Sequence, residues 1–301
     1  MIYKIILKLT FLKRIDKRFA RLIFSIIIYL DDMFLKLRIL ILSIFLKKNS
    51  KIKTALKDLN ENGVAVIKNF YSEDEIDRIK NECSTIIDKI PVEKAKNVEY
   101  IEAAHIHIDK KTIYLEKLGM SLKLKGLNFF NSFFAKIGKK IELNLITLIY
   151  HLRVGNPYIL YNVTHDGSIE HPVIKDYSKI KTKKVIADRP HIDLFLHHLR
   201  CFVALNDINK ENGATIYYNK SANSKILKKN YINLFLKEFD FNQDINNSHY
   251  VDEIKLNNLR ESCPKTFLSC KKGDLGIIDL KTVHHGTAPE RGERHLLWFY
   301  Y

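Results

Sequence analysis

The sequence predicts a mainly β fold, a sandwich or barrel with flanking helices and an N-terminal helical appendage. Three observations lead there. From Ile141 onward, short β-branched and aromatic segments alternate with Asn, Gly and Asp turns, as in all-β sandwiches and barrels. Ahead of them, Ser72-Glu73-Asp74-Glu75 reads as a capping box opening an amphipathic helix. Residues 1–53 hold 13 Lys and Arg against 3 Asp, so +10 of the chain's net +16 sits there and only +6 in the remaining 248 residues.

Taken in order, residues 1–48 mix Ile, Leu and Phe with Lys and Arg and contain no Pro or Gly. The longest unbroken apolar run, Leu22 to Leu30, has nine residues, well short of the ~20 that a membrane-spanning helix needs. No small-residue cleavage site follows it, which removes the secretory-signal reading. Long apolar side chains among cations suit helices lying in a membrane interface; a pair of helices packed on the following domain fits the same composition. The expectation is peripheral membrane contact through residues 1–50 and a cytoplasmic setting. Gly63 to Ile67 reads as a short strand, and the capped helix runs to about Ile90, before Pro91. Residues 92–140 are expected to be mostly helical. Strands are expected at Ile141–Arg153, Leu199–Leu205, Thr215–Tyr218, Asp274–Asp279 and His295–Tyr301, with Lys225–Phe241 a basic, helical insertion. The domain division is 1–53, a basic amphipathic segment, and 54–301, one large domain.

Four cysteines, Cys83, Cys201, Cys263 and Cys270, show no CxxC or zinc spacing and read as core fillers in a reducing compartment. The sequons at Asn162 and Asn246 read as accidents of an Asn-rich composition. A pI of 9.5 raises nucleic acid as a partner; the absence of a basic-aromatic motif, and charge that tracks the apolar N-terminus, speak against it.

The chemistry lies in His191-Ile192-Asp193, answered 92 residues later by His285 and then Arg294. Two imidazoles and one carboxylate hold a non-haem Fe(II) on one face and leave the other open. Positions i and i+2 of an extended segment point to the same side, so His191 and Asp193 face a metal while Ile192 points away. A second copy of the motif, His107-Ile108-Asp109 with His105, competes; it lacks the downstream strands, the Asn-Gly turn and the distal His-Arg pair. Its other reading is a half-exposed strand or helix face.

Three stretches carry a resemblance: LNENGVAVIKNFYSEDEIDRIKNE (59–82), LRCFVALNDINKENGATIYYNKS (199–221) and GDLGIIDLKTVHHGTAPERGERHLLWFYY (273–301). Together they resemble the phytanoyl-CoA dioxygenase family of Fe(II)/2-oxoglutarate oxygenases over roughly Lys57 to Tyr301. The resemblance implies a double-stranded β-helix, or jelly roll, and His191, Asp193 and His285 as metal ligands, because His285-Gly286-Thr287 matches the family's His-Gly-Ser/Thr pattern. His284 would then face the other side. Thr287 and Arg294 would bind the far carboxylate of 2-oxoglutarate, with Arg291 the alternative; a guanidinium suits that task by its planar fork and permanent charge. The implied cofactors are Fe(II), 2-oxoglutarate and O2, and the implied reaction is hydroxylation of a small-molecule or lipid-like substrate with release of succinate and CO2. Ile192, and Asn219 to Asn223 in place of a Pro-Gly-Ser-His turn, depart from the family's pattern. Arg200 is read as either a substrate or co-substrate contact or a solvent-facing charge, and His197 and His198 as lining or flanking the pocket. The competing functions are a cupin-like metal protein or isomerase without 2-oxoglutarate, and a catalytically silent scaffold.

Overall fold

The computed structural model describes residues 17–46, 50–96, 103–108, 110–118, 120–151, 156–175, 189–225, 227–229, 231, 232, 250, 251, 256, 257 and 261–301. An eight-stranded antiparallel sheet runs in the order β1-β9-β6-β11-β5-β4-β3-β2, and a three-stranded sheet in the order β10-β7-β8. The strands are β1 (Val64–Ile67), β2 (Ala103–Ile108), β3 (Lys111–Leu118), β4 (Ser121–Lys125), β5 (Tyr158–His165), β6 (Leu199–Ala204), β7 (Ile216–Tyr218), β8 (Lys265–Phe267), β9 (Leu275–Asp279), β10 (His284–His285) and β11 (Glu293–Tyr300). The helices are α1 (Lys17–Phe45), α2 (Lys51–Asn62), α3 (Glu73–Asp88), α4 (Val92–Lys96), α5 (Leu127–Phe130), α6 (Ser132–Ile137) and α7 (Ile141–His151).

The period-2 pattern of the large sheet gives it two apolar faces. One, with Leu115, Leu124, Val163, Cys201 and Ile277, packs on α2, α3, α6 and α7. The other, with Val64, Phe202, Ala204, Ile278 and Leu296, meets Ala214, Leu268 and Cys270 from around the small sheet. Two antiparallel sheets closing on a shared core form the jelly roll that the strand pattern and the resemblance predict. All four cysteines are free and buried, and burial pushes the Cys270 thiol up to about 12, as suits core fillers. Asn162 is buried, its amide donating to Ser121 Oγ at 2.8 Å; Asn246 lies outside the described residues.

Several elements form as expected. Ser72 Oγ accepts from Glu75 N at 3.3 Å while Glu75 Oε2 accepts from Ser72 N at 2.9 Å, closing the capping box of α3. Two expectations are corrected. The stretch 92–140 contains the β2-β3-β4 meander as well as short helices. Ile106 and Ile108, Ile113 and Leu115, and Leu122 and Leu124 are buried at period two, and the residues between them, His107, Tyr114 and Lys123, share the opposite face. Ile141–His151, expected as a strand, is helix α7: Leu143, Ile146, Thr147 and Tyr150 are all buried at helical spacing, and the helix packs on α1 and α2. Within 225–241 the described residues are 225, 227–229, 231 and 232, and all are helical. Leu227 and Tyr231 are fully buried, so this part is core rather than surface.

Helix α1 is held to the rest of the chain in two ways. Leu35 enters the core under the large sheet, while Phe24 and Ile28 pack with Ile192, Phe195, Leu227, Tyr231 and Val283. Beside that contact lies a buried cluster of three carboxylates and three basic groups. Asp32 pairs with Lys281, Lys228 and His197 Nε2, the last at 2.8 Å. His197 Nδ1 meets Asp279, and His197 N donates to Asp31 Oδ2 at 2.7 Å. Burial opposes the charge on Asp32, yet His197, Lys281 and Lys228 hold its carboxyl well below the usual range. Burial likewise opposes charge on His197, but Asp279 and Asp32 override it and raise its pKa. With His197 protonated, charges of both signs balance.

Removing one partner of a buried ion group costs about 3–5 kcal/mol, because the others stay buried uncompensated. Asp32→Asn is expected to lower unfolding stability by that amount in urea; a loss under about 1 kcal/mol would show that the cluster does not hold α1. The pH dependence has two limbs. The His197 contribution is complete below about 6.5 and fades as pH rises through its raised folded value; that of Asp32 is complete above about 3.9 and fades as pH falls through its depressed value. The stability difference between wild type and His197→Gln should therefore shrink as pH rises above about 6.5.

Candidate metal centre

The segment 189–198 leads into β6 and is pinned to the turn after β9. His191 and His284 exchange both backbone hydrogen bonds, each 2.9 Å, as an antiparallel bridge. Asp193 N and Leu194 N both donate to Leu280 O, at 3.0 and 3.2 Å. The bend buries Ile192 completely, against Phe24 and Phe195, and leaves His191 and Asp193 on the opposite side. The i, i+2 presentation thus holds, through a bridge and a bend rather than a continuous strand.

Residues directly opposite in such a pair project to the same side of the ladder. His191 and His284 do so, with ring centroids 4.6 Å apart. Asp193 Oδ1 lies 3.5 Å from His191 Nε2, and Asp193 Oδ2 lies 3.6 Å from His284 Nε2. Ligand atoms of His191, Asp193 and His284 all fall within 4.8 Å of one another. The expected third member, His285, is not in this group. The structure puts His284 there instead, and His285 turns to the side where its ring lies 6.3 Å from that of Tyr218. Adjacent residues of a strand face opposite ways, and only the pairing with His191 says which of the two faces inward.

The tautomers follow from the neighbours. His191 Nδ1 is 2.7 Å from Arg189 O, and His284 Nδ1 is 2.9 Å from Thr282 O. A carbonyl only accepts, so each Nδ1 carries a proton, and each Nε2 is left facing the shared space and Asp193. Burial alone would raise the Asp193 pKa, but His191, His284 and Arg200 hold it far below the carboxylate range. The donor set is therefore two imidazole Nε2 atoms and one carboxylate, which fits a divalent transition metal. Arg200, left open by the sequence, points into this group: its Nη1 is 2.8 Å from Asp193 Oδ2, and its guanidinium lies 4.5 Å from the Tyr300 ring centroid.

Thr287 and Arg294 converge on one turn. Thr287 Oγ1 donates to Ala214 O at 2.9 Å, and Arg294 Nη1 donates to Gly213 O. Gly213 has φ +89, and a Cβ there would lie 2.9 Å from Thr287 O, so both turn conformation and close approach require glycine. Arg294 stands on β11 opposite Thr164, whose Oγ1 is 3.4 Å from Nη2. Its Nε is buried without a partner. Burial pulls this guanidinium down to about 10, and no carboxylate pairs with it among the described residues. Arg291, the alternative, is exposed.

The other histidines have different surroundings. His105 stacks edge-on against Tyr114 at 4.6 Å, and His107 Nδ1 meets Thr112 Oγ1 at 3.0 Å; both are exposed on β2, and Asp109 lies outside the described residues. His197 belongs to the ion cluster. Asp31, Asp32 and His197 have metal-binding residue types within reach of one another, but Lys228 and Lys281 already occupy Asp32. His198 is half-buried, and burial lowers its pKa.

The family model described as phytanoyl-CoA dioxygenase matches residues 59–294. The chain belongs to the phytanoyl-CoA dioxygenase family. Solved structures similar to it include the epimerase SnoN in complex with Fe3+, alpha ketoglutarate and nogalamycin RO, at 11% identity and TM-score 0.50, covering 82% of each chain. EctD from S. alaskensis with bound Fe has 9% identity and TM-score 0.49, over 84% of this chain and 78% of that one. HygX from Streptomyces hygroscopicus, with nickel, 2-oxoglutarate and hygromycin B bound, has 12% identity and TM-score 0.47, over 82% and 85%. No curated protein matches the sequence. At these identities the likeness to SnoN shows the shared fold.

As a check on Arg200, its replacement by Met removes the cation beside Asp193 while retaining a chain that can pack on Tyr300. The Asp193 pKa should rise, and the pH below which divalent metal is released should shift upward; an unchanged release profile would remove Arg200 from the electrostatics of the site.

Proposed function

We propose that this chain is an Fe(II)- and 2-oxoglutarate-dependent dioxygenase in which His191, Asp193 and His284 hold the metal. His284 takes the place first given to His285 because its Nε2 faces Asp193. The observation that carries the reading is the convergence of two Nδ1-protonated imidazoles on an ionised carboxylate, together with a buried guanidinium that has no anionic partner among the described residues. Arg294 and Thr287 bind the distal carboxylate of 2-oxoglutarate. Bound there, Fe(II) with 2-oxoglutarate and O2 supplies oxidising power for C–H hydroxylation, and the co-substrate leaves as succinate and CO2. Asp193 supports hydroxylation over halogenation, since it fills the position a halide would need. An isomerase without 2-oxoglutarate would leave the Arg294 charge uncompensated, which favours the dioxygenase.

The chain's own side chains then orient and shield. Arg200 pairs across the ladder with Tyr300, and Tyr300 with Tyr158, while Trp298, Leu160, Lys125 and Tyr114 form the next row on the same face. All but Leu160 are half-buried, and they offer a polar-aromatic wall to a small-molecule substrate, lipid-like in the finer reading. Residues 54–301 form the catalytic domain with α1 clamped on it, and peripheral membrane contact through residues 1–50 completes the proposal.

Anaerobic titration with Fe(II) tests the ligand set. His191→Ala, Asp193→Ala and His284→Ala should each lose metal binding, whereas His285→Ala and His107→Ala should keep it; retention in His284→Ala with loss in His285→Ala would return the role to His285. Arg294→Ala should raise the KM for 2-oxoglutarate by about two orders of magnitude or more, from the ~3–5 kcal/mol scale of a buried charge pair, with iron binding intact. Succinate formation unaffected by Arg294→Ala would sink the co-substrate role.

A further inference from the structure

Of thirteen exposed large apolar side chains among the described residues, twelve lie on α1. They are Phe19, Leu22, Ile26, Tyr29, Leu30, Met33, Phe34, Leu37, Leu40, Ile41, Ile44 and Phe45, from 41% exposed at Leu30 to 79% at Phe45. At 100° per residue they occupy one arc of about 160° that contains no charged residue. The opposite side of the same helix is the one that Phe24, Ile28, Asp32 and Leu35 bury in the domain.

The charges of α1 are sorted by side. Its acidic residues, Asp31 and Asp32, both turn inward and are engaged by His197, Lys228 and Lys281. The cations Arg18, Arg21 and Lys36 are exposed. On the helical wheel Arg18 and Lys36 border the apolar arc on one side, and Arg38 borders it on the other. Arg38 is half-buried and donates through Nη1 to Tyr150 O at 3.1 Å. Preceding α1, the sequence adds Lys4, Lys8, Lys13 and Arg14 against one Asp16. No helix of the described residues is long and apolar enough to cross a membrane.

We infer that the outer face of α1 is a docking surface for an anionic phospholipid membrane, on which the helix lies in the interface plane. This deepens the membrane part of the proposed function and is independent of the metal assignment. A wide apolar arc with basic borders is the pattern of interfacial helices, whose apolar side enters the acyl boundary while the cations meet lipid phosphate. A second copy of the chain fits less well. Helix pairs match acidic against basic flanks, and this helix exposes only basic ones, so two copies would set cation against cation. At 1.5 Å per residue the helix is about 43 Å long, and a continuous arc of that length gives a lipid surface a line of insertion. Held by the ion cluster and by Phe24 and Ile28, the helix would dock the whole catalytic domain rather than act as a loose tail.

Co-sedimentation of the full chain with vesicles tests this directly. Binding is expected to phosphatidylcholine vesicles containing 30% phosphatidylglycerol at low salt, weakening at high salt and with phosphatidylcholine alone. Leu30→Glu with Leu37→Glu, both at exposed positions, should abolish binding while leaving Fe(II) binding and succinate formation unchanged. Arg18→Gln with Lys36→Gln should weaken binding to the anionic vesicles by about fivefold for each charge removed. Failure of the wild type to bind, or equal binding by the Glu variant, overturns the inference. So does a dimer by sedimentation velocity that the Glu variant converts to monomer, since the face would then join copies of the chain. Loss of iron binding by His284→Ala with vesicle binding retained separates the two proposals.

Discussion

The two backbone hydrogen bonds between His191 and His284 set a register, and the candidate site depends on it. Once those residues are opposite, strand geometry places their rings side by side and sends Ile192 and His285 elsewhere. Ile192 then fills the space against Phe24 and Phe195, which opposes rotation of the segment. The contacts from Asp193 N and Leu194 N to Leu280 O bend the chain so that the carboxylate meets both imidazoles. A one-residue slip would either swap His284 for His285 or turn Ile192 out of its apolar cluster, so packing and ligand geometry favour the same register.

That register is braced from behind. Asp279 and Lys281 flank Leu280, and both belong to the buried ion cluster that α1 completes with Asp31 and Asp32. Gly63 lies against the same turn. Its carbonyl accepts from Asp279 N at 2.9 Å and from Thr282 Oγ1 at 3.1 Å, and a Cβ on it would sit 2.0 Å from that hydroxyl. The chain approaches so closely that only glycine, with φ +79, can end α2 there. The N-terminal helix, the end of α2 and the ligand-bearing turn are thus mechanically one piece, although the turn lies more than two hundred residues beyond both helices in sequence.

What the sequence showed follows from the range of the interactions involved. The capping box, the strands around 199–204, 216–218 and 275–279, and the approach of His191 to Asp193 rest on local patterns. Family resemblance added Thr287 and Arg294, which the structure brings to the same turn. The choice between His284 and His285 was not legible, because it is fixed by a partner strand 93 residues away. Nor was the role of Arg200, whose partner is set by the fold of the intervening turn. The β2-β3-β4 meander was legible in its alternation of Ile and Leu with polar residues, but its many lysines resemble a helical surface. α7 is β-branched in composition and helical in spacing, and burial on α1 and α2 favoured the spacing.

Arg294 carries a further consequence. A sealed cation without a counter-charge among the described residues makes the empty protein the costly state. Any carboxylate that settles beside it stabilises the folded chain by mass action, about 2.7 kcal/mol when the free acid is a hundredfold above its dissociation constant. If Arg294 holds the acid as proposed, the lifetime of the polypeptide is tied to the supply of a small metabolic acid. When that acid is scarce, a larger share of molecules opens to proteases, and the amount of protein falls together with the means of using it.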